Sequence, residues 1–148
     1  MPFSFTPERL PRPHDPVAAA LALEHFADRG SAERDFVAGG PGAALIATLG
    51  GHSPYLAELA VRESAALMFL AARGPDEAFA RAIDPLGRID PATPRPALAT
   101  ILRQAKRQGA LAAAVADVAG LWPLDRVTGA LSDLAEASID AACAHLLR

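Results

Sequence analysis

The sequence predicts an all-α fold, a multi-helix bundle that ends in a long antiparallel helical hairpin. The chain of 148 residues contains 35 Ala and 19 Leu but only 6 Val and 5 Ile. Ala and Leu favour helices, whereas strands are enriched in β-branched and aromatic residues, and aromatic residues make up 5% of this chain. A chain of this length can bury a hydrophobic core, and one domain is the default expectation.

Residues 1–15 are expected to form an irregular, proline-rich arm, and residues 16–148 a single helical domain. Each proline removes a backbone hydrogen-bond donor and disfavours helix in the residue before it. The prolines of the arm are Pro2, Pro7, Pro11 and Pro13. The apolar side chains by which the arm would contact a neighbouring element are Phe3, Phe5 and Leu10.

The first helix of the domain is expected over residues 16–29. Asp15 is a favourable N-cap residue and Pro16 a favourable first helical residue, so the pair is a strong start signal. Its apolar stripe is expected to include Val17 and Leu21.

Five more short helices are expected before about residue 92, separated by glycine, proline and serine. Their ranges are 31–38, 41–49, 54–63, 64–73 and 75–83. Gly50-Gly51 is expected to end the second, which would bury Leu45, Ile46 and Leu49, and Ser53 to cap the third. The fourth, SAALMFLAAR, is nearly all apolar, which predicts a central buried helix.

Two long helices are expected over about residues 94–119 and 124–147, after a turn-rich connector at residues 84–93. The four residues of the hinge, Gly120-Leu121-Trp122-Pro123, make the two helices antiparallel neighbours. One face of the first helix carries Leu98, Ile101, Leu102, Ala105, Gly109, Ala112 and Ala116. The buried side of the second is expected to hold Val127, Leu131, Leu134, Ala135, Ser138, Ile139, Ala142 and Leu146.

Composition argues against several classes of protein. The net charge of −3 does not suit a nucleic-acid binder. Cys143 is the single cysteine, so neither an internal disulfide nor a cysteine metal cluster is expected, and the histidines lack metal-ligand spacing. The start of the chain does not resemble a signal peptide. Residues 110–118 are apolar but contain Asp117 and fall short of the roughly 20 residues of a membrane helix. A cytoplasmic location is therefore expected.

Two short motifs allow a functional interpretation but favour a structural one. Gly39-Gly40-Pro41-Gly42 precedes a helix, as phosphate-binding loops do, but no strand precedes it and the Gly-Lys-Ser/Thr of a P-loop is missing. His52-Ser53 places a base beside a nucleophile, but adjacent residues rarely form such a pair and no acid is suitably spaced. We interpret the first as an interhelical turn and Ser53 as a helix cap.

One group of charged residues is a candidate contact site. Lys106 and Arg107 stand three and four positions after Arg103, so the three lie along one side of a helix, where they would contact a phosphate group or an acidic partner. A solvated surface or an interdomain salt bridge explains the same cluster. Asp117 would either pair with Arg126 across the hinge or face water. No residue is assigned as catalytic or as a metal ligand.

Three segments together resemble a known family. They are GGHSPYLAELAVRES at residues 50–64, ILRQAKRQGALAAAVADVAGLW at residues 101–122 and PLDRVTGALSDLAEASIDAACAHLL at residues 123–147. In this order and spacing they are similar to the helical segment that precedes the first nucleotidyltransferase domain of the glutamine synthetase adenylyltransferase/deadenylylase (bifunctional glutamate-ammonia ligase adenylyltransferase) family.

The resemblance implies an enzyme that transfers AMP to a tyrosine of glutamine synthetase and removes it phosphorolytically, under the control of PII signalling proteins and glutamine. It implies ATP and Mg²⁺ for the full-length family, held in sites that contain a Gly-rich turn and an Asp-x-Asp pair. This sequence has no Asp-x-Asp pair. We therefore expect a non-catalytic N-terminal portion that supports a nucleotidyltransferase domain outside this chain, and whether the chain is itself an enzyme stays open.

The residues alone also allow two other readings. One is a free-standing α-helical module that binds another protein. The other is a small-ligand-binding helical domain of a regulator.

Overall fold

The computed structural model describes residues 3–147, which form helices connected by short turns, with no strand among them. The eight α-helices of this range are α1 (Pro16–Ala27), α2 (Ser31–Ala38), α3 (Gly40–His52), α4 (Pro54–Arg62), α5 (Ser64–Arg73), α6 (Pro75–Ile83), α7 (Arg95–Val118) and α8 (Leu124–Leu146). Short 3₁₀ helices lie at Pro7–Arg9 and Asp84–Arg88. The prediction of an all-α fold is confirmed. Met1, Pro2 and Arg148, which the predicted arm and domain include, lie outside the described residues.

The predicted helix starts at Pro16 and Pro54 are confirmed by their caps. The Asp15 carboxylate accepts hydrogen bonds from the amides of Val17 and Ala18, both at 3.0 Å. The Ser53 hydroxyl accepts one from the amide of Leu56 at 3.2 Å. Each cap satisfies amide groups that the first turn of a helix leaves without a partner.

The prediction that Gly50-Gly51 ends a helix is wrong, because α3 continues through both glycines to His52. Both are buried, and their missing side chains allow close contacts. A Cβ at Gly50 would overlap the Cβ of Ala22 on α1, and one at Gly51 would overlap Pro13 of the arm. These glycines therefore serve close packing rather than helix termination.

The apolar stripe predicted for α1 is also wrong. Val17 and Leu21 are exposed, while Ala19, Ala22 and Phe26 are buried. The close approach of α1 to α3 at Gly50 requires small side chains, so the face with Ala19 and Ala22 is turned inward. On α3 the predicted inward residues are confirmed, since they are all fully buried: Leu45, Ile46 and Leu49.

The arm before α1 is packed on the helices. Phe5 is buried, and the Phe3 ring lies edge-on to Phe5 and Phe36, with centroid distances of 5.5 and 5.9 Å. The amide of Ser4 donates to the Ala71 carbonyl at 2.7 Å. The Thr48 hydroxyl donates to the Pro11 carbonyl at 2.9 Å, which ties the other end of the arm to α3.

The nearly all-apolar helix α5 is buried along one side only. Leu67, Leu70 and Ala71 are in the core, whereas Ala65 is exposed. The half-buried Phe69 ring is covered by the Arg81 guanidinium, 4.3 Å from the ring centroid. A charged side chain thus shields part of the surface for which the sequence predicted full burial.

Two contacts show that α7 and α8 lie side by side with opposite chain directions. The side chain of Leu134 fills the space at Gly109, where a Cβ would lie 3.0 Å from it. Near the start of α7 and the end of α8, the His145 ring Nε2 lies 2.6 Å from the Thr93 carbonyl oxygen. The predicted face of α7 is buried at Leu98, Ala105, Gly109, Ala112 and Ala116.

The buried side predicted for α8 is only partly correct. Val127, Ala130 and Leu134 are buried, but Leu131, Ile139 and Leu146 are 43%, 61% and 58% exposed. The exposed residues lie on the flank of α8 beside its buried face, and in the described part of the chain no element covers that flank. None of the described helices is both long enough and apolar enough to cross a membrane.

Candidate functional site

The three predicted cations of α7 have different surroundings. Arg107 is partly buried, and its guanidinium Nε lies 2.7 Å from a carboxylate oxygen of Glu63. Arg103 and Lys106 are exposed, and within residues 3–147 neither forms an ion pair. Arg107 is therefore held by a structural contact, whereas Arg103 and Lys106 are exposed to solvent.

Glu63 is the buried partner that holds Arg107. It lies between α4 and α5 and is only 9% exposed. Arg107 donates to one of its carboxylate oxygens, and the Gln108 side-chain amide donates to the other at 3.1 Å. A buried carboxylate is costly unless it is paired and hydrogen-bonded. Arg107 and Gln108 satisfy this requirement and join α7 to the end of α4.

A shallow cavity of about 280 Å³ opens where α4 lies beside α7. Its lining residues are Tyr55, Glu58, Leu59, Arg62, Arg103, Lys106 and Arg107. Arg62, like Arg103 and Lys106, is exposed and has no ion-pair partner among the described residues. We call Arg62, Arg103 and Lys106 the cationic triad.

Sequence reasoning missed Arg62 and Tyr55. Their spacing with Glu58 places all three along one side of α4, a signal that is present in the sequence. The sequence does not show which element packs beside that side of α4, because residues 55–62 and 103–107 are far apart in the chain. Only the packing of α4 against α7 brings them to one cavity.

The motifs that favoured a structural interpretation have structural contacts. The His52 ring Nε2 lies 2.7 Å from the Arg12 carbonyl oxygen, while Ser53 caps α4. Gly40 begins α3, and Gly42 is buried where a Cβ would overlap the Phe36 carbonyl. Neither segment places a base against a nucleophile.

The hinge between α7 and α8 is held by Asp76 of α6 rather than by Asp117. The Trp122 indole donates to the Asp76 carboxylate at 3.0 Å, and Arg126 lies 3.4 Å from the same oxygen. The Arg126 guanidinium also lies over the Trp122 ring, 4.5 Å from its centroid. The suggested pairing of Asp117 with Arg126 is therefore wrong, and Asp117 is exposed as the other option required.

Fold and surface together define the class of the protein as an all-α helical domain with a cationic cavity and an exposed apolar flank. Among residues 3–147, no three His, Cys, Asp or Glu side chains are grouped as a metal site. The sequence model of the glutamate-ammonia ligase adenylyltransferase family matches residues 43–148, and the chain belongs to this family. The resemblance predicted from the sequence is confirmed.

Several curated relatives carry the name bifunctional glutamine synthetase adenylyltransferase/adenylyl-removing enzyme. The protein from Bradyrhizobium diazoefficiens is 34% identical over 105 residues, covering 70% of this chain and 11% of the relative. That from Caulobacter vibrioides is 33% identical over 134 residues, covering 90% and 13%. One from Rhodopseudomonas palustris is 30% identical over 145 residues, covering 93% and 15%.

The chain thus spans between 11% and 15% of the length of these relatives. No solved structure matches the chain.

Proposed function

We propose that this chain is a non-catalytic helical portion of a glutamine synthetase adenylyltransferase/adenylyl-removing enzyme and supports a nucleotidyltransferase domain of that enzyme. Family membership and the small share of each relative that the chain covers support its being a portion of such an enzyme. The sequence lacks the Asp-x-Asp pair expected of the catalytic domain, which supports a non-catalytic role.

The observation that carries the supporting role is the exposed flank of α8. We define the α8 flank as Leu124, Leu131, Ala135, Ile139 and Leu146. Their spacings of seven and four residues place them on one side of the helix. Burying an exposed Leu or Ile side chain contributes about 1.5–3 kcal/mol, so this side, which is apolar except for Thr128, is a favourable docking surface for another domain.

The relatives' name connects them with glutamine synthetase, and we propose that the enzyme containing this chain acts on glutamine synthetase as well. ATP and Mg²⁺ would then bind to the nucleotidyltransferase domain and not to this chain. PII signalling protein is a further proposed partner of the whole enzyme, on the resemblance alone. A cytoplasmic location fits these partners.

A chimaeric enzyme tests the proposal. This chain would replace the matching 134-residue segment of the Caulobacter vibrioides relative, and adenylyl removal from glutamine synthetase would be measured. We expect Leu131→Asp with Ile139→Asp to lower activity and the melting temperature of the chimaera, because the substitutions place charges in the docking surface. Asp133→Lys, at an exposed position on the opposite side of α8, is the matched control. It changes the charge by two units, as the double variant does, and should change neither activity nor melting temperature.

Two outcomes would contradict the proposal. If the double variant behaves like the unsubstituted chimaera, the α8 flank does not dock on the enzyme, and the alternative of a free-standing interaction module gains support. If the chain alone removes AMP from adenylylated glutamine synthetase in the presence of phosphate and Mg²⁺, it is catalytic.

A further inference from the structure

We infer that the cavity between α4 and α7 is a binding site for a small phosphate-bearing anion, held by the cationic triad. This inference concerns a surface apart from the α8 flank. It does not depend on the docking role proposed for that flank.

The charges of the cavity favour an anion. Its walls carry Arg62 from α4 and both Arg103 and Lys106 from α7, none of them neutralised by an ion pair in the described part of the chain. Glu58 is the one carboxylate in the lining, while the charge of Arg107 is compensated by Glu63. The whole chain has a net charge of −3, so the local excess of cations is not a consequence of overall composition.

The geometry of the cavity is set by a rigid contact beside it. Arg62 precedes Glu63 and Lys106 precedes Arg107, and the 2.7 Å ion pair joins Glu63 to Arg107. The two walls are therefore fixed relative to one another immediately next to the cations. A preorganised pair of walls binds an anion at a lower entropic cost than independent surface side chains do.

The chemistry of the side chains suits phosphate. A guanidinium donates two parallel hydrogen bonds to adjacent phosphate oxygens, and an ammonium adds a compact charge. A phosphate dianion has enough acceptor oxygens for all three cations. Tyr55 and Leu59 provide an apolar wall for an organic group. At about 280 Å³ the cavity is slightly smaller than the usual ligand pocket of about 300–1,000 Å³, which suits inorganic phosphate or a small phosphate monoester.

Titration of the full chain with inorganic phosphate and with phenyl phosphate tests the site, at constant ionic strength maintained with sodium chloride. We expect saturable binding by calorimetry, with amide NMR shifts centred on α4 and α7. Arg62→Ala, Arg103→Ala and Lys106→Ala should each weaken binding by about tenfold or more, as for the loss of one charge-assisted hydrogen bond. Because all three side chains are exposed, the variants should melt like the parent chain.

Arg95→Ala is the matched control, since Arg95 is an exposed cation of α7 outside the cavity. It should leave the affinity unchanged, and an equal loss in this variant would overturn the site in favour of general attraction between charges. Tyr55→Ala distinguishes the two ligand sources. If Tyr55→Ala weakens the binding of phenyl phosphate alone, the site is one for a phosphate monoester. If inorganic phosphate binds as tightly as phenyl phosphate or more tightly, and Tyr55→Ala has no effect, the site is one for the free anion.

Two further results would overturn the proposal. One is the absence of saturable binding of either phosphate compound. The other is binding of an acidic peptide, such as oligoglutamate, through the same three cations while phosphate does not compete. Neither result bears on the α8 flank, so failure of this proposal is distinguishable from failure of the docking role.

Discussion

At the residue scale, glycines at two helix contacts determine how closely the helices approach each other. Gly50 lies inside α3 against Ala22, and Gly109 lies inside α7 against Leu134. In a helix interior glycine is about 1 kcal/mol less favourable than alanine. At Gly50 the cost is offset because a Cβ would overlap the Cβ of Ala22, whereas at Gly109 a Cβ would only press on the terminal methyl groups of Leu134. At Gly129 of α8, no atom of the described residues lies within 4 Å of where a Cβ would be, so close packing does not require glycine there.

This contrast predicts opposite effects of the same substitution. Gly50→Ala should destabilise the fold by about 1–3 kcal/mol, because the new Cβ overlaps Ala22 and forces α1 away from α3. Gly129→Ala should stabilise it by up to about 1 kcal/mol, because it adds helix propensity without a clash. Chemical denaturation of both variants measures the difference. A stabilising Gly50→Ala would show that the α1–α3 contact is looser than described.

A second residue-scale prediction concerns Glu33 of α2. The Ser64 hydroxyl donates to its carboxylate at 2.6 Å, and this hydrogen bond, before the smaller effects of a backbone hydrogen bond and of Arg29 and Arg34, lowers the pKa of Glu33. A lowered pKa in the folded state means that the carboxylate stabilises the fold above its unfolded pKa of about 4.3. That contribution is lost as pH falls through the folded pKa.

Ser64→Ala should therefore raise the pKa of Glu33 towards its ordinary value and remove part of this stability at neutral pH. Carboxyl NMR titration of Glu33 measures the pKa directly, and melting temperatures at several pH values measure its effect on stability. Ser132→Ala, an exposed serine of α8, is the control. An unchanged Glu33 titration in Ser64→Ala would show that the hydroxyl does not contact the carboxylate.

At the scale of elements, the ion pair between Glu63 and Arg107 joins α4 to α7. Arg107→Ala should destabilise the fold by about 1–3 kcal/mol, because a buried carboxylate is left with Gln108 as its remaining donor. Adding Glu63→Gln removes the buried charge and should recover part of the loss. A double-mutant cycle by denaturation gives the interaction free energy, and strict additivity of the two substitutions would contradict the pairing.

The helices themselves were largely predictable from local signals. Caps and prolines fix where α1 and α4 begin, and those starts need no knowledge of the rest of the molecule. The end of α3 was not predictable in this way. A glycine can end a helix or permit close packing within it, and only the neighbouring element distinguishes the two cases.

At the scale of the whole molecule, residues 3–147 cover α8 on one side and leave the other side exposed. Leu134→Ala should cost about 2–4 kcal/mol, because its side chain is buried against α7. Leu131→Ala, three residues earlier on the α8 flank, should cost less than about 1 kcal/mol in the isolated chain. Denaturation of the two matched variants tests this. Equal losses would show that the flank is covered in the isolated chain, for example by a second copy.

The sequence by itself determined the helical class, most helix starts and the family of this protein, because propensity, capping and motif order are local properties of the chain. The tertiary structure decided which helix faces are buried and which cations line the same cavity. Helical periodicity identifies apolar positions, but it does not say which neighbour covers them, as Val17 and Leu131 show. Arg62 and Arg103 share a cavity because α4 and α7 pack together, a relation between distant segments that no local pattern encodes.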